Sequence, residues 1–346
     1  MNGICNVKYQ SDIFKIVINP EPESFKRNPI DFLQSLSGPT WFVFEGHNTD
    51  KNRVVTTLLH GNEPSGLFAL LHWGVSQIKP SVTLHIFVLS IEAACTSPHF
   101  TQRNHEGKDQ NRCFSPPYHN TQGKRAEALI KHLQHLQPEA LLDLHNSSGR
   151  GPAYSVSTLE DVERKWLTTL FSNEMILTHL CMGTLMEAAE NICPTITVEC
   201  GGSDSDIAHQ IGCDGLTRFA VCENLYNPIN KSDKVKIYKH PRRLELTINS
   251  SVSYGINPKH KADLTLPSNA DKWNFEPLKK GKILGELGDK GISCLTAKNS
   301  KGEKVLQTYF SEENNKLILK KSLRLFMVTT QTSIAESDCL FYFVPI

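Results

Sequence analysis

The sequence predicts an α/β protein with a mixed, mostly parallel sheet, helices on both of its faces, and a smaller β-rich domain after it. Over about the first 225 residues, apolar and β-branched runs alternate with segments whose apolar residues recur every three or four positions. After Asn227 the chain consists of short β-like pieces separated by Gly and Pro. A length of 346 residues suffices for about two domains. We therefore predict one domain over residues 1–228 and a β-rich C-terminal domain over residues 229–346.

The elements of the first domain follow from periodicity and residue type. We predict strands over residues 41–45, 54–60, 82–90, 140–145 and 195–199. We predict helices over residues 64–78, 124–136 and 159–172, and one or two more over 205–225, broken near residues 212–215. This alternation is typical of a sheet covered by helices on both faces. In such sheets, ligands bind at the carboxyl ends of the strands.

Composition disfavours several classes of partner. Lys and Arg number 37 against 36 Asp and Glu, so no global field attracts nucleic acid or an anionic membrane. No apolar stretch reaches the length of about 18 residues that a membrane span needs, and the N-terminal residues lack a signal-peptide core. The ten cysteines include no C-x-x-C pair. We therefore expect a cytoplasmic protein with reduced thiols that binds neither nucleic acid nor membrane, with its oligomeric state left open.

One local stretch departs from this balance of charge. Residues 227–243, NPINKSDKVKIYKHPRR, carry six Lys and Arg against one Asp. Such a stretch could bind an anion. A solvated linker followed by an edge strand is the favoured interpretation, because lysines commonly protect exposed sheet edges.

A histidine and a glutamate lie three residues apart in Leu58–Gly66, LLHGNEPSG, where a predicted strand turns into a predicted helix. His60 ends the strand, and Glu63 precedes Pro64, which suits the first position of a helix. This spacing lets an imidazole nitrogen and a carboxylate oxygen converge on one metal ion. Taken alone, however, the pair favours a carboxylate that stabilises the helix dipole beside a hydrogen-bonded histidine.

A second histidine strengthens the metal hypothesis. His145 also ends a predicted strand, in LLDLHNSS, so it should emerge at the same sheet edge. Asp143 shares its strand face and could accept the ring N–H of a ligating histidine. Two histidines and one carboxylate leave a fourth tetrahedral position open, which is the arrangement of catalytic zinc. His145 by itself would be a hydrogen-bonded residue at a strand end.

Two further features could act on a substrate. In the polar loop of residues 101–117, Asn111 and Arg112 could bind a carboxylate, and Arg103 could stabilise a developing oxyanion. Singly, each arginine is more typical of a solvated surface charge. Glu199 ends the predicted strand TITVE and precedes two glycines. It could transfer a proton beside a metal, or equally belong to a buried ion pair.

These segments resemble, in order and context, the succinylglutamate desuccinylase/aspartoacylase family, an acylase branch of the zinc carboxypeptidase-like enzymes. The matching blocks are His60 with Glu63, then DQNRCF, DLHNSSG and TVECGG. Gln110 stands where leucine is usual in that family. The resemblance covers most of residues 41–205, and WNFEPLKKGKILGEL looks more loosely like the family's β-rich C-terminal domain.

The resemblance implies a zinc carboxypeptidase-like fold and an enzyme that uses one Zn²⁺ per chain. Its substrate would be an N-acyl amino acid or a similar small carboxylate, cleaved at an amide bond. The implied roles are metal ligation by His60, Glu63 and His145, acid/base catalysis by Glu199, carbonyl polarisation by Arg103, carboxylate binding by Asn111 and Arg112, and support from Asp109 and Asp143.

Two departures keep other functions open. The aspartoacylase subgroup carries a further substrate-binding arginine about ten residues before the glutamate, but MEAAENICPT in this chain has none. This disfavours an N-acetylaspartate-like dicarboxylate. The same region lacks the tyrosine of the carboxypeptidase branch, so a zinc carboxypeptidase acting on peptides is the weaker alternative. A catalytically silent zinc-binding module is weaker still, since we would then expect a ligand or Glu199 to be missing.

Overall fold

The computed structural model describes residues 13–226, 234–255, 262–299 and 301–346. These residues form two compact units. The first consists of the described residues within Met1–Asn146, Ala153–Met175 and Cys181–Lys236, and the second of those within Ser147–Pro152, Ile176–Leu180 and Ile237–Ile346. The predicted domain boundary between residues 228 and 229 lies outside the described part of the chain.

The described residues before 227 alternate between strands and helices. The strands are β1 (Lys15–Ile18), β2 (Thr40–Phe44), β3 (Asn48–Thr57), β4 (Val82–Val88), β5 (Leu141–Ser147), β6 (Tyr154–Ser157), β7 (Glu174–Leu177) and β8 (Thr195–Gly202). The helices are α1 (Pro29–Gln34), α2 (Ser65–Ser76), α3 (Ile91–Cys95), α4 (Thr121–Leu136), α5 (Val162–Thr169), α6 (Leu185–Ala189) and α7 (Asp206–Val221).

The described residues after 233 are mainly strands. They are β9 (Lys236–Lys239), β10 (Arg242–Leu246), β11 (Val252–Tyr254), β12 (Leu264–Leu266), β13 (Pro277–Leu278), β14 (Ile283–Leu287), β15 (Leu295–Lys298), β16 (Phe310–Glu313), β17 (Lys316–Leu319), β18 (Leu323–Phe326) and β19 (Phe341–Pro345). The short helices are α8 (Leu306–Tyr309) and α9 (Thr332–Ser337).

The largest sheet has nine strands in the order β1-β2-β4-β3-β5-β8-β6-β7-β9. Strand β3 runs parallel to β4 and β5, whereas β2 is antiparallel to β4, and β6 to β8. Val54 and Val55, adjacent in β3, belong to two different apolar clusters, because successive strand residues face opposite sides. One cluster includes Trp73 of α2, and the other includes Leu129 of α4. The predicted mixed sheet with helices on both faces is confirmed.

The second unit is β-rich, as predicted. Its strands form two five-stranded sheets, ordered β13-β18-β19-β10-β15 and β11-β12-β14-β17-β16. Their inward side chains share one apolar cluster, which includes Leu244, Leu325 and Phe341. Strand β9, from the basic stretch, stands last in the order of the nine-stranded sheet and is an edge strand, as expected for its lysines.

Several predicted boundaries are wrong. Strand β3 ends at Thr57 instead of His60, since Leu58 has a φ of 52° and leaves the β conformation. Strand β5 continues past His145 to Ser147. Strand β8 continues past Glu199 to Gly202, and its residues up to Glu199 pair with β6, which the sequence pattern did not predict.

The predicted break near residues 212–215 is also wrong, because helix α7 runs without interruption from Asp206 to Val221. The glycines of α7 allow neighbouring residues to pack closely against the helix. A Cβ atom at Gly215 would lie 2.0 Å from the ring of Phe171, so only glycine fits there. The described cysteines are free thiols. Among the residues that the structure describes, no helix is both long and apolar enough to span a bilayer.

Candidate metal centre

A sharp turn between β3 and α2 brings the side chains of His60 and Glu63 together. The backbone N–H of Glu63 donates to the carbonyl of His60 at 3.2 Å, and that of Gly61 donates to the carbonyl of Arg103 at 2.9 Å. A Cβ atom at residue 61 would lie 2.5 Å from the Cβ of Ala93, so the turn requires glycine. The helix α2 begins one residue after Pro64 and holds the end of this turn in place.

Strand β5 brings His145 to the same place. Because β5 runs parallel to β3, the carboxyl ends of both strands meet at one edge of the sheet. Asp143 lies two residues earlier on the same face, and its Oδ2 atom accepts from Nε2 of His145 at 2.9 Å. Its other oxygen accepts from the hydroxyl of Thr56 at 2.6 Å, which fixes the carboxylate.

The two imidazole rings converge on the carboxylate of Glu63. Nδ1 of His60 lies 2.9 Å from Oε1 of Glu63, and Nδ1 of His145 lies 2.6 Å from Oε2. His60 and His145 are each 3% exposed, and Glu63 is 6% exposed. One ligand atom from each residue lies within 4.8 Å of the others. The three sequence-predicted ligands therefore form one compact group.

The donor set of this group fits a metal cation. Nε2 of His60 lies 2.8 Å from Oδ1 of Asp109, and Nε2 of His145 faces Asp143. A carboxylate only accepts hydrogen bonds, so each Nε2 carries the ring proton. The Nδ1 atoms both face the carboxylate of Glu63, which requires positive charge between them, either as protons on Nδ1 or as a metal cation. A Zn²⁺ ion that replaces those protons takes this His₂-carboxylate set.

The electrostatics keep the carboxylates ionised. Burial raises the pKa of Glu63, but the charges and hydrogen bonds of His60 and His145 outweigh it and hold that pKa far below its usual value. Burial also opposes ionisation of Asp109, yet His60 and Arg103 hold its pKa well below the usual range. Burial disfavours a charged His145, but Asp143 and Glu63 hold its pKa well above the usual value. Ionised carboxylates are the form that binds metal.

Arg103 adjoins this group through Asp109. Its Nε and Nη2 atoms each lie 2.9 Å from Oδ2 of Asp109, and its Nη1 lies 3.6 Å from Oε1 of Glu63. Asp109 therefore supports a candidate metal ligand and orients a guanidinium. The arrangement places a fixed positive charge directly beside the metal group.

The predicted carboxylate-binding pair, Asn111 and Arg112, lies on the same loop. The backbone N–H of Asn111 donates to Oδ1 of Asp109 at 2.8 Å, and its side-chain oxygen accepts from the backbone of Leu185 at 2.9 Å. Arg112 lines a cavity of about 530 Å³ together with Lys108 and His119. No acidic side chain is among the described residues that line this cavity.

Comparison with known proteins gives no sequence match. No protein-family model matches the chain, and no curated protein does. Solved structures match it in three dimensions. A succinylglutamate desuccinylase/aspartoacylase from Rhodobacter sphaeroides aligns over 84% of this chain and 84% of its own, with a TM-score of 0.53 and 13% identity. A mutant of murine aminoacylase 3 aligns over 87% of this chain and 96% of its own, with a TM-score of 0.51 and 15% identity.

The chain has the succinylglutamate desuccinylase/aspartoacylase fold. At these identities the likeness establishes the fold, including a β-rich C-terminal part, and it confirms the resemblance at that level.

In this aspartoacylase-type fold, Glu199 lies on β8, the neighbour of β5. It is buried and pairs across the sheet with Tyr154 of β6. Burial, reinforced by the nearby charges of Glu199 and Glu63, raises the pKa of the Cys200 thiol far above its usual value. Burial of this kind disfavours the thiolate form of Cys200. Glu199 is the carboxylate on β8, the strand next to the one that carries His145.

Sequence reasoning missed Asn146, which follows His145 directly. Its side chain bonds to the first residue of α2 and to the backbone of β8, and its backbone N–H donates to Glu63 at 3.3 Å. A signal was present, since an asparagine is unusual next to an apolar strand unless its amide is satisfied. The partners of that amide, however, are remote in sequence.

Proposed function

We propose that the protein is a zinc-dependent hydrolase that cleaves the amide bond of an N-acyl amino acid or a similar small carboxylate substrate. The observation that carries this proposal is the convergence of His60, Glu63 and His145, with each histidine oriented by its own aspartate. Two histidines and one carboxylate leave room for substrate and water, which distinguishes catalytic from structural zinc sites.

The proposed roles of the other residues follow from their charges and positions. A bound zinc ion supplies a Lewis acid and lowers the pKa of water toward about 7. Glu199 is the proposed base that takes a proton from water and returns it to the leaving nitrogen. Arg103, held beside Glu63 by Asp109, is the proposed donor to the oxyanion of the tetrahedral intermediate.

The cavity beside Arg112 supports a small carboxylate substrate. Its volume of about 530 Å³ lies within the range of about 300–1,000 Å³ for small-molecule sites. Arg112 and Lys108 give it a positive lining, and the guanidinium of Arg112 suits a carboxylate. We propose that the carboxylate of the substrate's amino acid part binds at this cavity, with the side-chain amide of Asn111 as a second donor.

A hydrolysis screen tests the function. The zinc-loaded protein is incubated with N-acyl amino acids that vary in acyl group and side chain, and with short peptides, and released amine is measured. We expect turnover of N-acyl amino acids, lost after chelation and restored by zinc. Turnover confined to peptides would replace the proposal with a carboxypeptidase. Bound zinc without turnover of any substrate would support a silent zinc-binding module.

A further inference from the structure

Asn146 joins the three segments that carry the candidate metal ligands and the candidate base. It follows His145 on β5 and is 3% exposed. Its Oδ1 atom accepts from the backbone N–H of Ser65 at 2.9 Å. Its Nδ2 atom donates to Ser65 Oγ at 2.7 Å and to the carbonyl of Gly201 at 2.9 Å. One amide therefore connects the end of β5, the start of α2 and the end of β8.

These contacts determine the orientation of the amide. The N–H of Ser65 requires an acceptor and the carbonyl of Gly201 requires a donor, so a flipped amide would meet both with the wrong atom. Gly201 has a φ of 119°, a conformation that favours glycine. The chain thus uses a special backbone conformation at the acceptor of Asn146.

The network extends beyond the amide to a histidine on α7. Oγ of Ser65 lies 2.8 Å from Nδ1 of His209. Because Asn146 donates to Ser65 Oγ, the hydroxyl hydrogen of Ser65 is available for His209. Ser65 is fully buried, so each of these polar groups needs its partner. This buried network therefore holds α2, β5, β8 and α7 together near the metal group.

We propose that Asn146 is a positioning residue that sets the separation between Glu63, His145 and the strand carrying Glu199. Glu63 lies two residues before Ser65, and Glu199 two residues before Gly201, so each bond of the amide acts on a site residue through a short stretch of backbone. The proposal rests on the proposed function for the role of Glu199. For Glu63 and His145 the proposal concerns only the geometry of the metal ligands and does not depend on the reaction.

The test compares Asn146→Ala with Asn274→Ala. Asn274 is a matched control, because it is a buried asparagine of the second unit whose amide also bonds to backbone, namely to Val328 and Arg150. Zinc affinity is measured by competition with a chromophoric chelator, and ligand geometry by the visible spectrum of the Co²⁺-substituted protein. Turnover is measured as kcat and KM on the best substrate of the screen.

For Asn146→Ala we expect zinc affinity to fall by about 10- to 100-fold, which is the usual cost of removing a group that orients metal ligands. The Co²⁺ spectrum should change, and kcat should fall while KM changes by less than about threefold, since Asn111 and Arg112 are untouched. Asn274→Ala should fold less stably but keep zinc affinity and spectrum. Equal zinc affinity and identical Co²⁺ spectra in wild type and Asn146→Ala would overturn the proposal.

Ser65→Ala keeps the proposal testable if Asn146→Ala does not fold. It removes one partner of the amide and leaves the bonds to the Ser65 backbone and to Gly201, so we expect a smaller loss of zinc affinity of about two- to tenfold. An unchanged affinity and spectrum in this variant would count against the proposal. If the wild-type protein binds zinc and hydrolyses nothing, the hydrolase function fails, whereas the metal measurements still decide the role of Asn146.

Discussion

Asn146 and Asn274 are buried asparagines in different units. Their comparison shows that the same amide hydrogen bonding can support a fold or a candidate site. The amide of Asn274 accepts from the backbone of Val328 at 2.8 Å and donates to the carbonyl of Arg150 at 2.7 Å. All of these partners are backbone atoms. Asn146 makes bonds of the same kind, but its backbone N–H also meets Glu63, and its neighbour in sequence is His145. The same amide geometry therefore holds a fold in one unit and a candidate site in the other.

The surroundings of the two residues differ in charge. In the first unit, buried ionisable side chains collect at the carboxyl edge of the sheet; they are His60, Glu63, Asp143, His145 and Glu199. In the second unit the shared cluster between the sheets is apolar. Buried charges are costly unless they are paired or bind a metal. Their concentration in one unit indicates that the candidate site belongs to that unit, while apolar packing stabilises the other.

The largest effect is expected when a member of the buried charge cluster is removed. In His145→Ala only His60 and Glu63 remain as ligands, so bound zinc should fall from about one ion per chain to less than about 0.1, and hydrolysis should be lost. Metal analysis of the purified protein checks this. His72→Ala, an exposed histidine on α2, is the control and should keep its zinc. A folded His145→Ala protein with undiminished zinc would contradict the ligand assignment.

The next effect separates the base from the metal ligands. Glu199→Gln keeps the shape of the side chain and removes its ability to take a proton, so kcat should fall by about 10²- to 10⁴-fold while zinc stays bound. Amine release and zinc content are measured on the same sample. Glu223→Gln, at an exposed position after α7, should be fully active. Full activity of Glu199→Gln would remove Glu199 from the mechanism.

The apolar unit should respond in stability and not in zinc content. Leu325 is fully buried in β18, so Leu325→Ala should lower the free energy of unfolding by about 2–5 kcal/mol, as measured by urea denaturation. Ile248→Ala, at a 92% exposed position, should change it by less than about 0.5 kcal/mol. A folded Leu325→Ala protein that had lost most of its zinc would contradict the division of roles between the units.

The smallest effect concerns a buried histidine outside the charge cluster. His85 accepts from the indole of Trp41 at 2.8 Å and faces Asn52 at 2.9 Å, and burial, with His132 nearby, lowers the pKa of His85 to about 3. An unfolded histidine has a pKa of about 6.5. Between these values the unfolded chain binds the proton and the folded chain does not. The contribution of His85 is thus intact above about pH 6.5, and stability falls as the pH drops toward about 3.

His85→Gln removes this titration. Between about pH 6 and pH 4, the free energy of unfolding of the variant should fall less steeply than that of the wild type, by up to about 1.4 kcal/mol per pH unit. Urea denaturation across this range measures both slopes. Parallel slopes would show that His85 titrates alike in both states. The difference between the two slopes should not depend on the metal group, because the hydrogen-bond partners of His85 belong to β2 and β3.

Periodicity and local residue type predicted the fold class and most elements of the first unit. Strands such as β4 and helices such as α2 can be recognised from short-range apolar patterns, which are properties of the sequence alone. The candidate ligands His60, Glu63 and His145 could also be identified from the sequence, since each lies at or shortly after the end of an apolar run, where the edge of a sheet is expected. The family blocks then placed them in order. The short strands β6 and β7 escaped prediction because a strand of four residues has too little periodicity to stand out.

What only the tertiary structure decided concerns contacts between residues remote in sequence. Nothing in the local pattern says that Asp109 faces His60, that β8 pairs with β6, or that Gly215 of α7 gives room to Phe171 without breaking the helix. The amide of Asn146 meets Ser65 and Gly201 across separations of 81 and 55 residues. The sequence determined by itself which chemical groups the edge of the sheet carries. Their distances and orientations depend on packing, because a hydrogen bond is set by the folded positions of both partners.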